Sequence, residues 1–301
     1  MTHTLPQSLS GRPLVGILAF IIVLLTMPLG HALMILTQVL LGDHYQYIGA
    51  LGLGLLGAAA LLVALRRKGE TAQTFLGFLA GIFLWTGFVE FSFVFYAHHL
   101  AIAPMIENGE VVTKPEYLLL PSSIGLFLAL VPYFLLNPHT RCMFFAWFRR
   151  RLHLPVTPAP AAGPRNYAAI TAMETIFVLW AFYILLMIAY DKAFFGDRHP
   201  FTYAVFAGSL LWSIYLITRL LKYVRIAPAI RYAVPTVIIF WTSVEILGRW
   251  DLFREIWIEP TRYWLEVVLT FAALLGALLL STLVSRGRRG GHTPPGVEEN
   301  N

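Results

Sequence analysis

The chain has 301 residues, of which 58% are hydrophobic and only 13% are charged, and its formal net charge is +6. A soluble domain needs about a quarter of its residues charged to cover its surface, so this composition excludes a water-soluble fold. The mean hydropathy of +0.70 favours a chain that lipid covers. The single cysteine, Cys142, excludes an intrachain disulfide and disfavours a cysteine-ligated metal site.

Apolar runs that suit membrane-spanning helices recur along the whole chain. A helix needs roughly 20 residues to cross a bilayer, and eight runs have about that length or more: 14–40, 46–65, 75–97, 117–136, 167–190, 201–221, 233–249 and 263–284. Backbone groups in lipid must be hydrogen-bonded within their own segment, which favours helices. The predicted fold is therefore all-α, a polytopic integral membrane protein with eight transmembrane helices.

The membrane-embedded part of the chain occurs twice. Residues 42–43 (GD) recur as 196–197, and residues 85–90 (WTGFVE) recur, one residue shorter, as 241–245 (WTSVE). Each half holds four spans, so both halves enter the membrane in the same sense, as parallel repeats do. The predicted organisation is a cytoplasmic N-terminus at 1–13, a first four-span repeat at 14–152, a Pro/Ala-rich cytoplasmic linker at 153–166, a second four-span repeat at 167–284 and a disordered cytoplasmic tail at 285–301.

Three local patterns add detail to this topology. Ala50, Gly54 and Ala58 form a small-residue stripe that lets helices pack closely in lipid. The Asn-Gly pair at 108–109 indicates a tight hairpin turn in an outer loop. Aromatic residues beside three arginines at 143–151 suit a helix at the inner interface, or the end of the fourth span.

Basic residues are distributed unevenly between the two sides of the membrane. Sixteen of the 22 lysines and arginines fall on the side of the N-terminus. The positive-inside rule then predicts a multi-pass protein of the cell inner (cytoplasmic) membrane with both termini cytoplasmic. The predicted partners are the lipid bilayer and anionic lipids at the cytoplasmic face, and not nucleic acid.

Polar residues within the spans concentrate towards the outer side. Glu90 and Glu245 lie in the outer halves of spans three and seven, and His31 lies in the outer half of span one. The outer mouths of the spans add Asp43, Asp197 and His98. Charged residues in a membrane usually face a protein interior or a water-filled cavity. The sequence thus predicts a polar pocket that opens outward, with Glu90 and Glu245 as its symmetric pair.

The two glutamates differ in their neighbours along the helix. Arg249 follows Glu245 at four residues, close enough to pair with it. Glu245 is then either half of a structural ion pair or a proton-accepting carboxylate that Arg249 holds. Glu90 has no basic residue at that spacing, so it is expected to be protonated or to meet a metal, a ligand or a histidine of another span.

His31 is either a hydrogen-bonded interior histidine or a ligand. A b-type haem would need two facing histidines, and the counterpart of His31 in span five is apolar. A carboxylate–histidine metal site from His31, Glu90 and His98 is an alternative. Trp85 and Trp241 lie deeper than an interfacial belt, so they are expected to line the pocket, where a planar ligand such as a quinone head would suit them.

The segment 245–249 (EILGR), followed by Phe253, resembles the Glu-x-x-Gly-Arg motif with trailing aromatics near the end of the membrane anchor of DMSO-reductase-type complexes. Those anchors and the related polysulfide-reductase-type anchors also have eight spans in two four-helix bundles. The resemblance implies a quinol-handling subunit with a cofactor-bearing redox partner on its outer face. The motif lies in the seventh span here and in the last span of those anchors, and the first-half motifs of that family have no counterpart in this chain.

Three functions remain open, and the sequence leaves undecided whether the chain is an enzyme. The leading hypothesis is a respiratory anchor in which Glu90 and Glu245 move protons and His31 hydrogen-bonds a quinone ring oxygen. The second is a proton-coupled transporter of a small solute. The third is a membrane metalloenzyme that uses the histidine–carboxylate cluster.

Overall fold

A computed structural model describes residues 12–107, 110–136, 143–154 and 165–290. In chain order its elements are α1 (Arg12–Arg66), α2 (Glu70–Leu84), a π-helical turn (Trp85–Glu90), α3 (Phe91–His99), β1 (Met105–Glu107), β2 (Glu110–Thr113), α4 (Pro115–Leu119), a 3-10 turn (Leu120–Ser123), α5 (Ile124–Leu136), α6 (Met143–Arg151), α7 (Tyr167–Tyr190), α8 (Pro200–Leu220), α9 (Ile226–Arg249) and α10 (Trp264–Gly290).

Seven helical stretches in the described part of the chain are long and apolar enough to cross a membrane. The protein is therefore a helical multi-pass membrane protein, and that part of the sequence prediction is confirmed. The number differs from eight because the predicted spans 14–40 and 46–65 both fall within α1. The apolar stretch of α1 has 54 residues, which as one straight helix would be ~80 Å long, far more than a bilayer of about 30 Å.

The chain folds back on itself within α1, at Gly42. This residue has φ 64° and ψ −179°, a non-helical conformation that glycine adopts without steric penalty. A side chain at Gly49 would contact those of Thr37 and Leu41, although residues 37 and 49 would be about 18 Å apart in a continuous helix. Residues 12–41 and 43–66 therefore run side by side, and we call them the first and second limbs of α1.

The π-helical turn explains why one copy of the repeated segment is longer. Residues 85–90 form a turn with i→i+5 hydrogen bonding, whereas the shorter segment 241–245 is regular α-helix within α9. One extra residue in a helix is accommodated by such a turn without rotating the rest of the helix. Trp85 and Glu90 consequently keep the relative placement that Trp241 and Glu245 have.

Most residues of α7 and α9 are buried at the centre of the bundle, while few residues of α5 and α10 are buried. The first limb of α1 packs on α9, and α2 packs on α7. Ile22, Val178, Ile230 and Val234 lie in the resulting core, each at most 1% exposed. Each half of the chain thus packs helices against helices of the other half. His31, Tyr183 and Glu245 lie at the interface between the halves.

Ionic contacts join the two halves at the end of the bundle where α2 begins. Arg231 of α9 donates to Glu70 Oε1 at 2.6 Å and to Thr74 Oγ1 at 2.7 Å. Arg225 adds a second contact to Glu70 Oε2 at 3.0 Å. The guanidinium of Arg231 also lies over the ring of Tyr167, 4.4 Å from its centre.

Several predicted boundaries can be compared with the structure. Strands β1 and β2 pair antiparallel, which confirms the predicted hairpin, although its turn at 108–109 lies outside the described residues. Helix α6 forms at 143–151 as predicted. Helix α10 continues to Gly290, into the predicted tail. The predicted N-terminus, most of the linker and the rest of the tail lie outside the described residues.

Candidate functional site

His31 lies at the centre of the site, on the first limb of α1, and contacts the second half of the chain. Its Nδ1 is 3.1 Å from the backbone oxygen of Met27, and its Nε2 is 2.6 Å from the hydroxyl of Tyr183. A carbonyl only accepts hydrogen bonds, so Nδ1 carries the proton of the neutral ring. Nε2 then accepts a hydrogen bond from Tyr183, and it is the nitrogen free to take up a further proton.

Glu245 extends this chain of hydrogen bonds on the α9 side. Its Oε1 accepts the indole N–H of Trp241 at 2.6 Å and lies 3.5 Å from His31 Nε2. The side chains of His31 and Glu245 are 12% and 18% exposed. Tyr183, His31 and Glu245 therefore form a continuous hydrogen-bonded or ionic series across the interface of the two halves.

Arg249 does not pair with Glu245, contrary to one of the two sequence hypotheses. Its Nε donates to Asp197 Oδ1 at 3.0 Å, and its terminal nitrogen donates to Thr113 Oγ1 at 3.1 Å. Arg249 is the last residue of α9, at the end of the bundle opposite Arg231. We call this end the outer end and its loops the outer loops. The side chain of Glu245 turns instead towards Trp241. Spacing along a helix permits a pair but does not enforce it when a closer partner comes from another segment.

Asp197 takes part in this contact through both its side chain and its backbone. Besides the bond from Arg249, its backbone oxygen accepts the indole N–H of Trp250 at 2.7 Å. The ring of Tyr190 lies under Arg249, 5.0 Å from the guanidinium carbon. Arg249 and Asp197 thus hold the outer loops against α9.

Glu90 lies on the opposite side of His31, at the end of the π-helical turn. It is only 5% exposed, and Thr86 lines the same cavity beside it. Glu90 and His31 line a common cavity of about 30 Å³, together with Trp85 and Tyr183. A cavity of that volume with several polar neighbours holds about one water molecule, which would connect the two side chains.

Asp43 and His98 lie apart from His31, in a second cavity near the outer mouth. That cavity has a volume of about 300 Å³ and is also lined by Gln46 and Glu116. His98 Nδ1 is 3.1 Å from the hydroxyl of Tyr47, and Gln46 is 3.5 Å from Asp43. The predicted outward-facing pocket is therefore divided into an outer cavity and a buried inner one.

The proposed metal ligands His31, Glu90 and His98 do not come together. His31 and Glu90 share the inner cavity, but His98, at the end of α3, faces the outer one. Within the described ranges, no group of three His, Cys, Asp or Glu side chains is placed to hold a metal ion. The sequence predicted this metal site wrongly, because it shows where each helix lies along the chain but not how the helix is rotated about its axis.

Aromatic rings surround the inner cavity. Trp85 and Tyr183 line it, whereas Trp241, which was also predicted to line the pocket, lies outside the lining. Trp85 stacks on Tyr183 at 5.8 Å between centroids, and Tyr117 stacks on the same ring at 6.3 Å. Trp241 lies 6.3 Å from His31. Both predicted tryptophans thus stand beside the histidine or its tyrosine partner, at the depth where the sequence places them.

Three further residues lie at or near the site and were not predicted from the sequence: Tyr183, Tyr117 and Glu255. Tyr183 is 152 positions from His31, close to the repeat offset of 154 that relates Gly42 to Gly196. A search of span five within two positions of the repeat counterpart would have found it. Tyr117 lies near the start of the predicted span 117–136, where a tyrosine is typical of the membrane interface.

Glu255 folds back from the outer loop onto Gly248 of α9. A β-carbon at Gly248 would lie 2.5 Å from Glu255 Oε1 and 2.6 Å from its Cδ, so only glycine leaves room for this carboxyl. Burial is the main reason why the pKa of Glu255 rises from 4.5 to about 8. The nearby carboxyl of Glu245 adds to the rise, and Arg249 opposes it. In the sequence, the Gly-Arg pair of the EILGR segment could have indicated that another side chain packs against α9 at Gly248.

An apolar groove on the lipid-facing surface reaches the inner cavity from the other side. The groove has a volume of about 610 Å³ and runs between α1, α2, α9 and α10. Thr26 and Ile82 line both the groove and the cavity of His31 and Glu90. A lipid-soluble molecule in the groove would therefore lie next to the buried polar series.

Comparison of the chain with protein-family models, with curated proteins and with solved structures finds no match.

Proposed function

We propose that this protein is a quinol- and proton-handling anchor subunit of a respiratory membrane complex. The observation that carries the proposal is the series Glu245–His31–Tyr183, which shares a water-sized cavity with Glu90 and borders an apolar groove. Protonatable groups in contact at membrane depth, beside a lipid-accessible groove, suit proton exchange with a lipid-soluble molecule. The EILGR segment, which resembles the anchor motif, contributes Glu245 to this series.

The dimensions of the site decide where a quinone head would bind. The cavity of about 30 Å³ between His31 and Glu90 is too small for a ring, whereas the groove of about 610 Å³ lies in the range of small-molecule sites. The ring would lie in the groove against Thr26, the polar residue that both spaces share. A bound quinol supplies protons and electrons together, and the protein residues described here act on the protons only.

The residues around the inner cavity define an outward route for protons. His31 Nε2 takes up a proton, and Tyr183 and Glu245 are its direct neighbours. The inner cavity has room for about one water, which would join His31 to Glu90. Glu116 acts electrostatically on Glu90 and lines the outer cavity, so it is the next carboxyl towards the outer surface.

The proposal is tested by titrating a quinone analogue into protein purified in mild detergent. Thr26→Val should weaken binding roughly tenfold, because it removes the polar contact nearest the ring, worth about one hydrogen bond. Glu90→Gln should weaken binding less, because Glu90 lies behind Thr26 in the inner cavity. Glu259→Gln, an exposed carboxyl that pairs with Arg262 at 3.1 Å, is the matched control and should bind as wild type. Unchanged binding in both site variants contradicts the proposal.

We also propose eight membrane crossings arranged as two parallel repeats. The reversal at Gly42 supports two crossings by α1. Gly42 and Gly196 are the two described glycines with positive φ, and each precedes the aspartate that begins the next helical segment or loop. The exchange of contacts, the first limb with α9 and α2 with α7, supports a two-fold relation between the halves.

Cysteine labelling tests this topology in a Cys142→Ala background. With both termini cytoplasmic in the inner membrane, His44→Cys and Asp251→Cys should react with an impermeant thiol reagent from outside. Lys68→Cys should react only after the membrane is opened. If His44→Cys and Lys68→Cys label from the same side, α1 does not cross twice.

A second candidate function is proton-coupled transport of a small solute. It is favoured by the outer cavity of about 300 Å³ together with the ionic closure of the opposite end by Glu70 and Arg231, an arrangement expected of an outward-open transporter. It predicts solute uptake by the purified protein alone in liposomes. The anchor function predicts instead that an outer-face redox subunit copurifies from native membranes.

A further inference from the structure

A pocket distinct from the His31 site opens at the end of the bundle where α8 ends and α9 begins. Its volume is about 580 Å³, and α6, α8 and α9 line it. Four basic side chains stand around it: Arg150, Arg151, Arg219 and Lys222. None of the lining residues is acidic. The printed sequence places no carboxylate within two positions of any of these four basic residues.

No carboxylate of the described residues forms an ion pair with these four basic side chains. Among the described residues, Arg219 contacts Tyr215 through a hydrogen bond of 3.3 Å and Arg151 lies over the ring of Trp147, and neither contact brings a negative charge. The four cations are exposed at one mouth. Clustered positive charge of this kind at a membrane surface attracts anionic groups.

The deeper part of the pocket is aromatic and apolar. Trp147 and Trp212 lie 5.1 Å apart, and Tyr223 and Tyr232 lie 5.2 Å apart. The pocket ends at Ile239, in the middle of α9. The lining thus changes from cationic at the mouth to apolar inside, which matches an amphiphile with an anionic head.

One lining residue has an unsatisfied polar group. The indole N–H of Trp212 is buried and finds no acceptor in the part of the chain that the structure describes. A buried donor without a partner is costly and in a native protein usually meets a water or ligand oxygen. This observation is independent of the basic cluster and indicates an acceptor-rich ligand.

We infer that this pocket binds a phosphate group, with the phosphate between Arg150, Arg219 and Lys222 and the apolar part of an amphiphilic lipid against the aromatic rings. Arginine forks and lysine suit phosphate oxygens. The apolar depth favours the phosphate of a membrane lipid over free phosphate as the source. This pocket shares no lining residue with the groove proposed for the quinone ring, so the inference does not depend on the proposed function.

Native mass spectrometry of the detergent-purified full chain tests the inference with three probes: phosphatidylglycerol, zwitterionic phosphatidylcholine and inorganic phosphate. Wild type should retain one phosphatidylglycerol and release phosphatidylcholine. Arg150→Gln with Arg219→Gln should lose roughly tenfold or more in retention, since each basic side chain at a headgroup adds several-fold to affinity. Trp212→Phe should weaken retention while keeping the ring volume.

The matched control is Arg66→Gln with Arg67→Gln, which removes the same charge from exposed positions outside the pocket. All altered arginines are exposed, so the variants should fold, and their thermal unfolding checks this. Displacement of the lipid by inorganic phosphate alone would support the phosphate site and assign it to a free anion. Equal retention in wild type and the pocket variant, or equal loss in the control variant, overturns the inference.

Discussion

At the scale of single residues, the site depends on the hydrogen-bond partners of the two ring nitrogens of His31. The Nδ1 of His31 is committed to the Met27 carbonyl, and this leaves Nε2 to face Tyr183 and Glu245. The orientation of one ring therefore selects which nitrogen exchanges protons. Tyr183 fixes this arrangement together with the histidine. Among the described side chains, it alone donates a hydrogen bond to His31 Nε2, at 2.6 Å.

Tyr183→Phe should lower the stability of the folded protein by about 1–2 kcal/mol, since His31 Nε2 would lose its hydrogen-bond donor in a buried site. Thermal unfolding in detergent measures the change. Tyr117→Phe is the control, because the Tyr117 ring stacks on Tyr183 while its hydroxyl has no hydrogen bond among the described residues. If both variants lose the same stability, the Tyr183–His31 bond contributes nothing specific.

Glu255 makes the stability of the protein depend on pH. Its pKa rises from 4.5 to about 8 in the folded protein, mainly through burial. Between these two values the folded chain holds a proton that the unfolded chain releases, so stability should fall as the pH rises through this window. Below pH 4.5 the carboxyl of Glu255 is protonated in both the folded and the unfolded chain. Above about pH 8 it is ionised in both, and the folded protein is then less stable by the full cost of burying the charge.

Unfolding temperatures measured from pH 4.5 to pH 8.5 test this dependence. Glu255→Gln should flatten the decline relative to wild type, whereas Glu259→Gln, in the same loop but exposed, should leave the slope unchanged. A wild-type curve that rises across this range relative to Glu255→Gln would show that the carboxyl is ionised in the folded state.

At the scale of elements, the π-helical turn and the close-packed glycines set the position of Glu90. The turn absorbs Phe88, the residue that the second copy of the segment lacks. Gly87 meanwhile lies directly against the second limb of α1, where a β-carbon would come within 2.7 Å of the Ala50 oxygen. The predicted small-residue stripe thus serves packing, and it brings the π-helical turn close to α1.

Deletion of Phe88 should convert the π-helical turn to regular α-helix without rotating the helix on either side. The variant should fold, with reduced stability because the Phe88 ring packs over Gly54. Deletion of Leu79, an equally exposed residue of α2, should instead rotate half the helix by about 100° and prevent folding. Gel filtration in detergent separates the two outcomes, and equal behaviour of the two deletions would contradict this account.

Gly87→Ala should destabilise the protein by about 1–3 kcal/mol, because the added methyl group meets backbone atoms that cannot move aside. Gly208→Ala is the matched control, since a β-carbon there has nothing within 4 Å, and alanine in a helix should be neutral or stabilise by about 0.5–1 kcal/mol. Thermal unfolding compares them, and a harmless Gly87→Ala would mean that α1 and the π-helical turn are not in close contact.

At the scale of the whole molecule, the two halves meet at both ends and enclose the polar site between them. Arg249 ties the outer loops together through Asp197 and Thr113. Arg231 ties α9 to α2 at the opposite end through Glu70. The interior between these ties contains the only described histidine within the bundle core, His31.

Arg231→Gln should destabilise the assembly of the two halves by about 1–3 kcal/mol, because it breaks two charge-assisted hydrogen bonds of a largely buried side chain. Arg225→Gln removes the same charge and also contacts Glu70, but this arginine is 68% exposed, so the loss should stay below about 1 kcal/mol. Unfolding of both variants in detergent measures the difference, and equal losses would mean that burial of Arg231 is unimportant.

Much of the architecture was predictable because lipid imposes strict rules on a sequence. Apolar length alone locates helices such as α7, whose predicted and observed limits are both 167–190. The duplicated Trp-Glu segments also located Trp85 and Trp241 near the site. The pairing of Arg249 with Asp197 and the separation of His98 from His31 were not predictable, because both depend on how helices rotate and how loops close.

The sequence by itself determined that this is a helical multi-pass membrane protein, because uncharged runs of sufficient length have no other stable environment. Tertiary structure alone decided that Tyr183 and Glu245 are the partners of His31 and that Glu255 reaches α9 over Gly248. Such contacts join residues far apart in the chain, and only packing of the two halves sets their distances.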